Sequence, residues 1–262
     1  MAAHALARRG GLASGWRLQL ALFAGAYLLY AAGRYVTIGD YHAAVRHADL
    51  IVDAERTLRI AVERSVQEAL QGTAWLWLLN HLYLAAQLVA VPATLVWLYL
   101  RAPHGYRRLR NVVLATWLLS LPVYALFPVA PPRLADPGVV DTITTQTGFA
   151  LDSKLTTAFY NPLAAVPSLH AGFALAVGVA IARHARALLV RLLGALWPAA
   201  IALAVVATGN HFVLDIAAGI VATVAGLGVS IAVERLSTER RPQTARGPRR
   251  RLPQELPDGA AA

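Results

Sequence analysis

Long apolar segments are the feature of this sequence that most restricts its fold. An α-helix needs about 20 apolar residues to cross the hydrocarbon core of a bilayer, and several segments approach that length. Only 15% of the residues are charged, against about 25% in a soluble domain. The pattern predicts an all-α, polytopic membrane protein with a bundle of six transmembrane helices. The apolar segments lie roughly at residues 16–36, 74–100, 112–130, 165–182, 190–208 and 212–233.

The first apolar segment has a second interpretation. It follows Arg8, Arg9 and Arg17, so it also resembles the apolar region of a signal peptide. No clean small-residue cleavage site follows it, which favours a retained helix. The chain has no cysteine, which excludes disulfides, thiolate zinc sites and cysteine nucleophiles.

Charge alternates between successive loops. The N-terminal tail and residues 101–111 and 183–191 contain arginines and no acidic residue, whereas acidic residues outnumber basic ones in 37–72 and 131–164. Because cytoplasmic loops carry the excess of Lys and Arg, both termini are predicted to be cytoplasmic and the acidic loops to lie outside. The net charge of +10 therefore reflects membrane topology, and no nucleic-acid partner is predicted.

This topology predicts three parts: a cytoplasmic tail over 1–15, a membrane-embedded domain over 16–235 and a basic, disordered cytoplasmic tail over 236–262. Residues 42–72 are too polar to span. Their apolar side chains recur at helical spacing, which predicts an amphipathic helix, continuous or broken, that lies on the outer interface or caps the bundle. These apolar residues are Ile51, Ala54, Leu58, Val62, Val66 and Ala69.

Ionisable residues at membrane depth are costly, so each is a functional candidate. His211 and Asp215 stand four residues apart at the start of the last apolar segment, on one helical face. The carboxylate can accept the Nδ1 proton and leave Nε2 as a nucleophile or base. Alternatively, Asp215 is an acidic residue favoured by the helix dipole, although that does not explain the histidine.

A second candidate lies where the fourth segment begins, in the sequence Pro167-Ser168-Leu169-His170. Proline suits the first position of a helix, and the free N–H groups there would form an anion site beside Ser168 and His170. The alternative is an ordinary N-cap serine with an interfacial histidine.

Two further polar groups face the same side. Pro131 and Pro132 end the third segment and place Arg133 at the interface, where its guanidinium could hold a phosphate or snorkel to water. Within the second segment Asn80, His81 and Gln87 stand near Tyr83; hydrogen bonds between helices are the favoured interpretation.

Together these groups form a set suited to phosphoryl transfer without a metal. A histidine attacks phosphorus, a second histidine protonates the leaving oxygen, and cationic groups hold the remaining oxygens. The sequence has no His-x-x-x-His pair or carboxylate cluster at these positions, so neither a metal nor an organic cofactor is predicted.

Three motifs in this order resemble the type 2 phosphatidic acid phosphatase superfamily, over roughly residues 45–235. They are Pro-Pro-Arg ending at Arg133, Pro-Ser-Leu-His ending at His170 and Gly-Asn-His-x-x-x-Asp ending at Asp215. The variant looks closest to the inositol phosphorylceramide synthase-like branch. The resemblance implies that His211 forms a phosphohistidine, that Asp215 orients it and that His170 acts as acid and then base. It also implies that Ser168 and Arg133 bind the phosphoryl oxygens.

The chain departs from the broad phosphatase pattern at three positions. Leu126 stands where that pattern has Lys, Leu169 replaces Gly, and Val205 stands where it has Arg. The synthase-like branch shares these differences. Lys154, Asn210 and backbone N–H groups are candidates to replace the two missing phosphate-binding cations.

The resulting expectation is a membrane lipid phosphotransferase of the inositol-phosphate transfer type, with its active site outside the cytoplasm. Its partners are then membrane lipids and a lipid phosphate or phospholipid substrate. One alternative is a phosphatase acting on a lipid phosphate or an isoprenyl (pyro)phosphate. An alternative of another class is a non-catalytic lipid-binding or transport protein, although the inverted repeats and broken helices typical of transporters are not evident in the sequence.

Overall fold

A computed structural model of the chain describes residues 15, 17–29, 31–32, 41–151, 153 and 161–239. Lys154, one of the predicted phosphate ligands, lies outside these residues. So do residues 1–14 and 240–262, which include most of the two predicted tails.

The regular elements in the described part of the chain are all helical, which confirms the all-α prediction. One parallel bridge pairs Val129 with Ala164. The α-helices are α1 Arg17–Leu29, α2 Tyr41–Leu58, α3 Glu63–Leu70, α4 Ala74–Ala85, α5 Val91–Arg101, α6 Pro103–Leu126, α7 Pro132–Ala135, α8 Thr142–Thr147, α9 Leu169–His184, α10 Leu188–Ala207 and α11 Val213–Glu239, with a π-helix over Ala86–Ala90 between α4 and α5.

Four helices of the described chain are long and apolar enough to cross a membrane: Ala74–Arg101, Pro103–Leu126, Leu188–Ala207 and Val213–Leu236. Large apolar side chains on their outer surfaces are exposed, as at Trp75, Leu100 and Val221, and need a hydrocarbon solvent. The chain is therefore a multi-pass membrane protein. The helices α1 and α9 are apolar but shorter. The 16 residues of α9 rise about 24 Å, less than the roughly 30 Å of a bilayer core, so six spans stay a prediction.

The first basic loop is shorter than predicted. We expected a loop over 101–111, but α6 already begins at Pro103, because proline is well suited to the first turn of a helix. Arg107, Arg108 and Arg110 consequently lie on the first turns of α6. An ion pair of 2.6 Å joins Arg108 to Glu234 near the end of α11.

The bundle has two distinct ends. The Arg108–Glu234 pair lies at one end, and Asp215, near the start of α11, lies at the other. The 19 residues between Asp215 and Glu234 rise about 28 Å, which is close to the thickness of a bilayer core. Helix α9 packs against α6, α10 and α11, so its first residues meet the beginning of α11 at the end where Asp215 lies.

The predicted amphipathic segment forms two helices, α2 and α3, separated by Arg59, whose φ is 60°. Of the apolar residues of this segment, Ile51 is buried and Val66 is half-buried, whereas Ala54, Leu58, Val62 and Ala69 are exposed. The buried stripe of α2 consists of Ala44, Ala48, Ile51 and Glu55. A glutamate therefore occupies a position that helical periodicity would assign to an apolar side chain.

Candidate active site

The turn after α10 delivers His211 to the site. Helix α10 ends in a Schellman motif: Gly209 N donates to Val206 O at 2.9 Å, and Asn210 N donates to Val205 O at 3.1 Å. Gly209 has a φ of +68°, which glycine adopts without the steric cost that a Cβ brings. The glycine of the Gly-Asn-His motif thus reverses the chain immediately before His211.

His211 is held by two acceptors on its Nδ1 atom. The carbonyl oxygen of Ala165 lies 2.9 Å away, and Oδ2 of Asp215 lies 3.3 Å away. The same carboxylate oxygen accepts the N–H of Phe212 at 2.9 Å. Because a carbonyl oxygen can only accept, Nδ1 carries the proton and Nε2 is unprotonated in the neutral ring.

Ser168 is the N-cap of α9, since its Oγ accepts the N–H of Ala171 at 3.3 Å. The prediction that Pro167 occupies the first helical position is wrong. Pro167 follows a cis peptide bond and lies one residue before the cap, whose hydroxyl accepts one N–H group of the first turn. His170 lies in this turn, and its ring centroid is 5.8 Å from that of His211.

The two histidine-bearing segments are joined by backbone contacts. Ser168 N donates to the carbonyl oxygen of Asp215 at 3.0 Å. One turn further along α11, Gly219 packs against the backbone of Ser168 so closely that an added Cβ would overlap the Ser168 carbonyl oxygen. A glycine is therefore required where the N-terminus of α9 crosses α11.

Arg133 enters the site region from the segment after α6. Its backbone N–H donates to Gly209 O at 2.9 Å, and its Nε donates to Oδ1 of Asn210 at 3.1 Å. Its side chain is fully buried, and its Nη1 atom lies 3.5 Å from Oδ2 of Asp141. Arg133 is thus a packed, paired cation beside the His211 turn, in contrast to a snorkelling surface arginine.

Asn210 uses its amide for contacts within the protein. Nδ2 donates to the carbonyl oxygen of Thr208 at 3.2 Å and to its hydroxyl at 3.0 Å, while Oδ1 accepts from Arg133. Both N–H bonds of the amide are used in this way. The geometry therefore suits Asn210 to anchoring Arg133.

The polar residues of the second apolar segment have different roles. Asn80 donates to Gln146 at 2.9 Å and accepts from Thr142 at 2.8 Å. Both partners are on α8, so these are hydrogen bonds between helices, as predicted. His81 bonds to a carbonyl of its own helix, Trp77 O, at 2.8 Å.

Tyr83 is a residue of the site region that sequence reasoning did not assign. Its ring stacks on His170 with a centroid distance of 4.1 Å and an interplanar angle of 19°. The π-helix Ala86–Ala90 begins three residues later, and such π-helical turns recur at functional sites. A tyrosine in an apolar segment resembles ordinary core, so only its contact with His170 distinguishes it.

Two buried histidines therefore face each other, one with a fixed Nδ1 proton, beside a helix N-terminus and an arginine. Within the described residues, no group of three or more His, Cys, Asp or Glu side chains could hold a metal ion. The family model of the PAP2 superfamily matches residues 49–229, which is more than half of the chain and includes every described residue of this site.

The chain belongs to the PAP2 superfamily. This confirms the superfamily that the three motifs predicted, and it suggests a phosphatase or phosphotransferase activity. No curated protein and no solved structure matches the chain. The matched segment begins within α2 and includes all of α3 and most of α11.

Proposed function

We propose that this PAP2 protein is a membrane lipid phosphotransferase that acts through a phosphohistidine on His211. The observation that carries the proposal is the 2.9 Å hydrogen bond from Nδ1 of His211 to Ala165 O. It keeps the lone pair on Nε2 available for attack on phosphorus. The carboxylate of Asp215 then stabilises the positive charge that develops on the ring.

The proposed reaction has two steps. In the first, Nε2 of His211 forms a bond to phosphorus, the bond from phosphorus to the leaving oxygen breaks, and His170 gives its proton to that oxygen. In the second, His170 takes a proton from an incoming alcohol. The alcohol oxygen then bonds to phosphorus, and the phosphorus–nitrogen bond breaks to restore His211.

A phosphodiester is the proposed donor, because the site has little positive charge for a dianion. Leu126 and Val205 replace the two cations of the broader pattern; Leu126 is 83% exposed, and Val205 is fully buried among apolar residues. Arg133 is partly neutralised by Asp141. A diester carries one negative charge fewer than a monoester and needs fewer cations. Transfer of the inositol-phosphate type, with an alcohol acceptor, fits this preference.

The proposed site faces outward and needs no metal. The basic residues of α6 and of the segment joining α9 to α10 lie at the end of the bundle opposite His211. Gly105 packs against His184 there, and Lys and Arg mark the cytoplasmic side. Because the Asp215 carboxylate is paired with His211, we do not expect it to serve as a metal ligand. The two histidines then act as nucleophile and acid.

The test offers a labelled phosphodiester lipid and a labelled phosphate monoester lipid to the purified protein, with and without inositol and with and without a chelator. We expect label to reach the alcohol from the diester, to persist with chelator, and to remain on the protein after denaturing quench unless His211 is replaced by alanine. Faster release of free phosphate from the monoester, independent of acceptor, would instead identify a phosphatase.

A further inference from the structure

Two buried glutamates outside the described histidine site contact the helix that carries its aspartate. Glu63 Oε1 accepts the N–H of Val213 at 3.0 Å, and Glu55 Oε1 accepts the N–H of Leu214 at 2.7 Å. Asp215 takes the preceding N–H, that of Phe212. Three consecutive N–H groups at the start of α11 are thus each bound by a different carboxyl group.

One acidic side chain would be sufficient to favour a helix N-terminus, and burying more of them is costly unless one is neutral. Glu55 and Glu63 are both buried, Glu55 completely. Within the described chain no hydrogen-bond donor reaches Oε2 of Glu55, so this oxygen is suited to carry a proton. The ionisable groups acting on Glu55 are Glu63 from α3 and Asp215 from α11, and Asp215 in turn contacts His211.

We propose that Glu55, in its protonated form, and Glu63 position the His211–Asp215 pair by holding the first turn of α11. This inference rests on the proposed function of that pair. Protonated Glu55 accepts from Leu214 through Oε1 and presents its O–H towards the Glu63 carboxylate. Ionised Glu55 would set a third negative charge beside Glu63 and Asp215 and push the beginning of α11 away from α2.

The protonation state is consistent with the environment of Glu55. Burial, followed by the charge of Glu63 and of Asp215, raises the pKa of Glu55 to about 8, against the lowering effect of the Leu214 N–H. The protonated form therefore predominates at neutral pH and is lost in mildly alkaline solution. Positioning of His211 should fail over the same pH range.

The test compares the full-length wild type with Glu55→Gln, in which the amide reproduces the protonated carboxyl. Both should have similar turnover at pH 6. At pH 9 the variant should be about tenfold faster than the wild type. This pH is about one unit above the pKa of Glu55, so about 90% of the wild-type carboxyl groups are ionised and inactive. Glu68→Gln is the matched control, because Glu68 is on α3 but pairs with Arg64 at the surface; its pH profile should follow that of the wild type.

A second measurement does not depend on activity. Because the pKa of Glu55 is higher in the folded protein than its ordinary value of 4.5, the wild type should lose stability as the pH rises from about 4.5 to about 8, and Glu55→Gln should not. Thermal unfolding in detergent from pH 5 to 8 measures this. If the stability of both proteins changed with pH in the same way, the proposed protonated Glu55 and its pairing with Glu63 would be wrong. This conclusion would hold even if neither protein turned over a substrate.

The two measurements separate positioning from a merely structural role. If the variant removes the pH dependence of unfolding but its turnover keeps the alkaline loss of the wild type, the positioning role is wrong. If neither protein turns over any phosphate lipid while unfolding behaves as expected, the carboxyl pair stands and the proposed function of His211 fails.

Discussion

The imidazole of His211 donates its Nδ1 proton to the carbonyl oxygen of Ala165, 2.9 Å away. Asp215, which the sequence suggests as the orienting group, is the more distant acceptor at 3.3 Å. The tautomer of His211 is therefore fixed by a backbone atom as well as by a carboxylate. Asp215 therefore differs from the Ala165 carbonyl mainly by its negative charge.

Asp215→Asn should slow turnover by about 10²-fold, within the range found for acid–base groups, yet leave measurable activity. The asparagine oxygen can still accept from Phe212 and His211, and Ala165 still fixes the tautomer, but the charge that stabilises phospho-His211 is lost. His211→Ala and His170→Ala should be inactive. Initial rates with the labelled donor distinguish these cases; a near-normal rate for His211→Ala would end the histidine mechanism.

Tyr83→Leu should reduce turnover about 2- to 10-fold, because an aromatic stack contributes roughly 0.5–1.5 kcal/mol to holding the His170 ring. Tyr83→Phe keeps the stack and should retain most of the activity. Trp77→Leu is the control, since Trp77 and His81 form a similar pair with a centroid distance of 4.0 Å on the same helix, outside the site. Equal losses for Tyr83→Leu and Trp77→Leu would contradict a specific role.

Gly219→Ala should lower both activity and stability. The added methyl group overlaps the Ser168 carbonyl, and overpacking of this kind costs about 1–3 kcal/mol. A shift of Ser168 also moves the first turn of α9 and His170 with it, so the rate should fall at least about tenfold.

The matched control is Gly228→Ala on the same helix, where an added Cβ meets nothing within 4 Å. It should leave the rate unchanged. Rates and unfolding midpoints of the two variants in one detergent make the comparison, and indistinguishable variants would show that the α9–α11 contact tolerates the methyl group.

The sequence predicted those site residues whose side chains, or whose lack of one, belong to a recognisable motif. His170, His211 and Asp215 are ionisable groups in apolar surroundings, and Gly209 is the residue that a Schellman turn favours. Their approach to one another follows from placing successive helix ends on one side of a membrane.

Other contributions had no readable pattern. The carbonyl of Ala165 has no sequence signal, because every residue supplies one. Glu55 belongs to a buried stripe of small and apolar residues, and helical periodicity predicts no acidic side chain at such a position. Tyr83 reaches His170 only through the packing of α4 on the bundle, and the short length of α9 could not be distinguished from a full span by hydropathy.

Membrane orientation can be measured by labelling single cysteines, since the chain has no native cysteine. Thr145→Cys, on the exposed side of α8, should react with an impermeant thiol reagent in intact cells. His104→Cys should react only after permeabilisation. The reversed labelling pattern would place the site in the cytoplasm.

Arg133→Ala should reduce turnover of the phosphodiester donor by roughly one to two decades. A charge-assisted hydrogen bond contributes about 1.5–3 kcal/mol, and each 1.4 kcal/mol is about tenfold in rate. Arg133→Lys should recover only part of the loss, because an ammonium group cannot bond Asn210 and a phosphoryl oxygen in the planar geometry of guanidinium. Arg56→Ala is a suitable control, since Arg56 and its partner Asp53 are largely exposed and such pairs contribute little. Rates should be measured with diester and monoester lipids side by side. If Arg133→Ala slows the monoester reaction alone, Arg133 serves a dianionic substrate, and the preference for a diester is wrong.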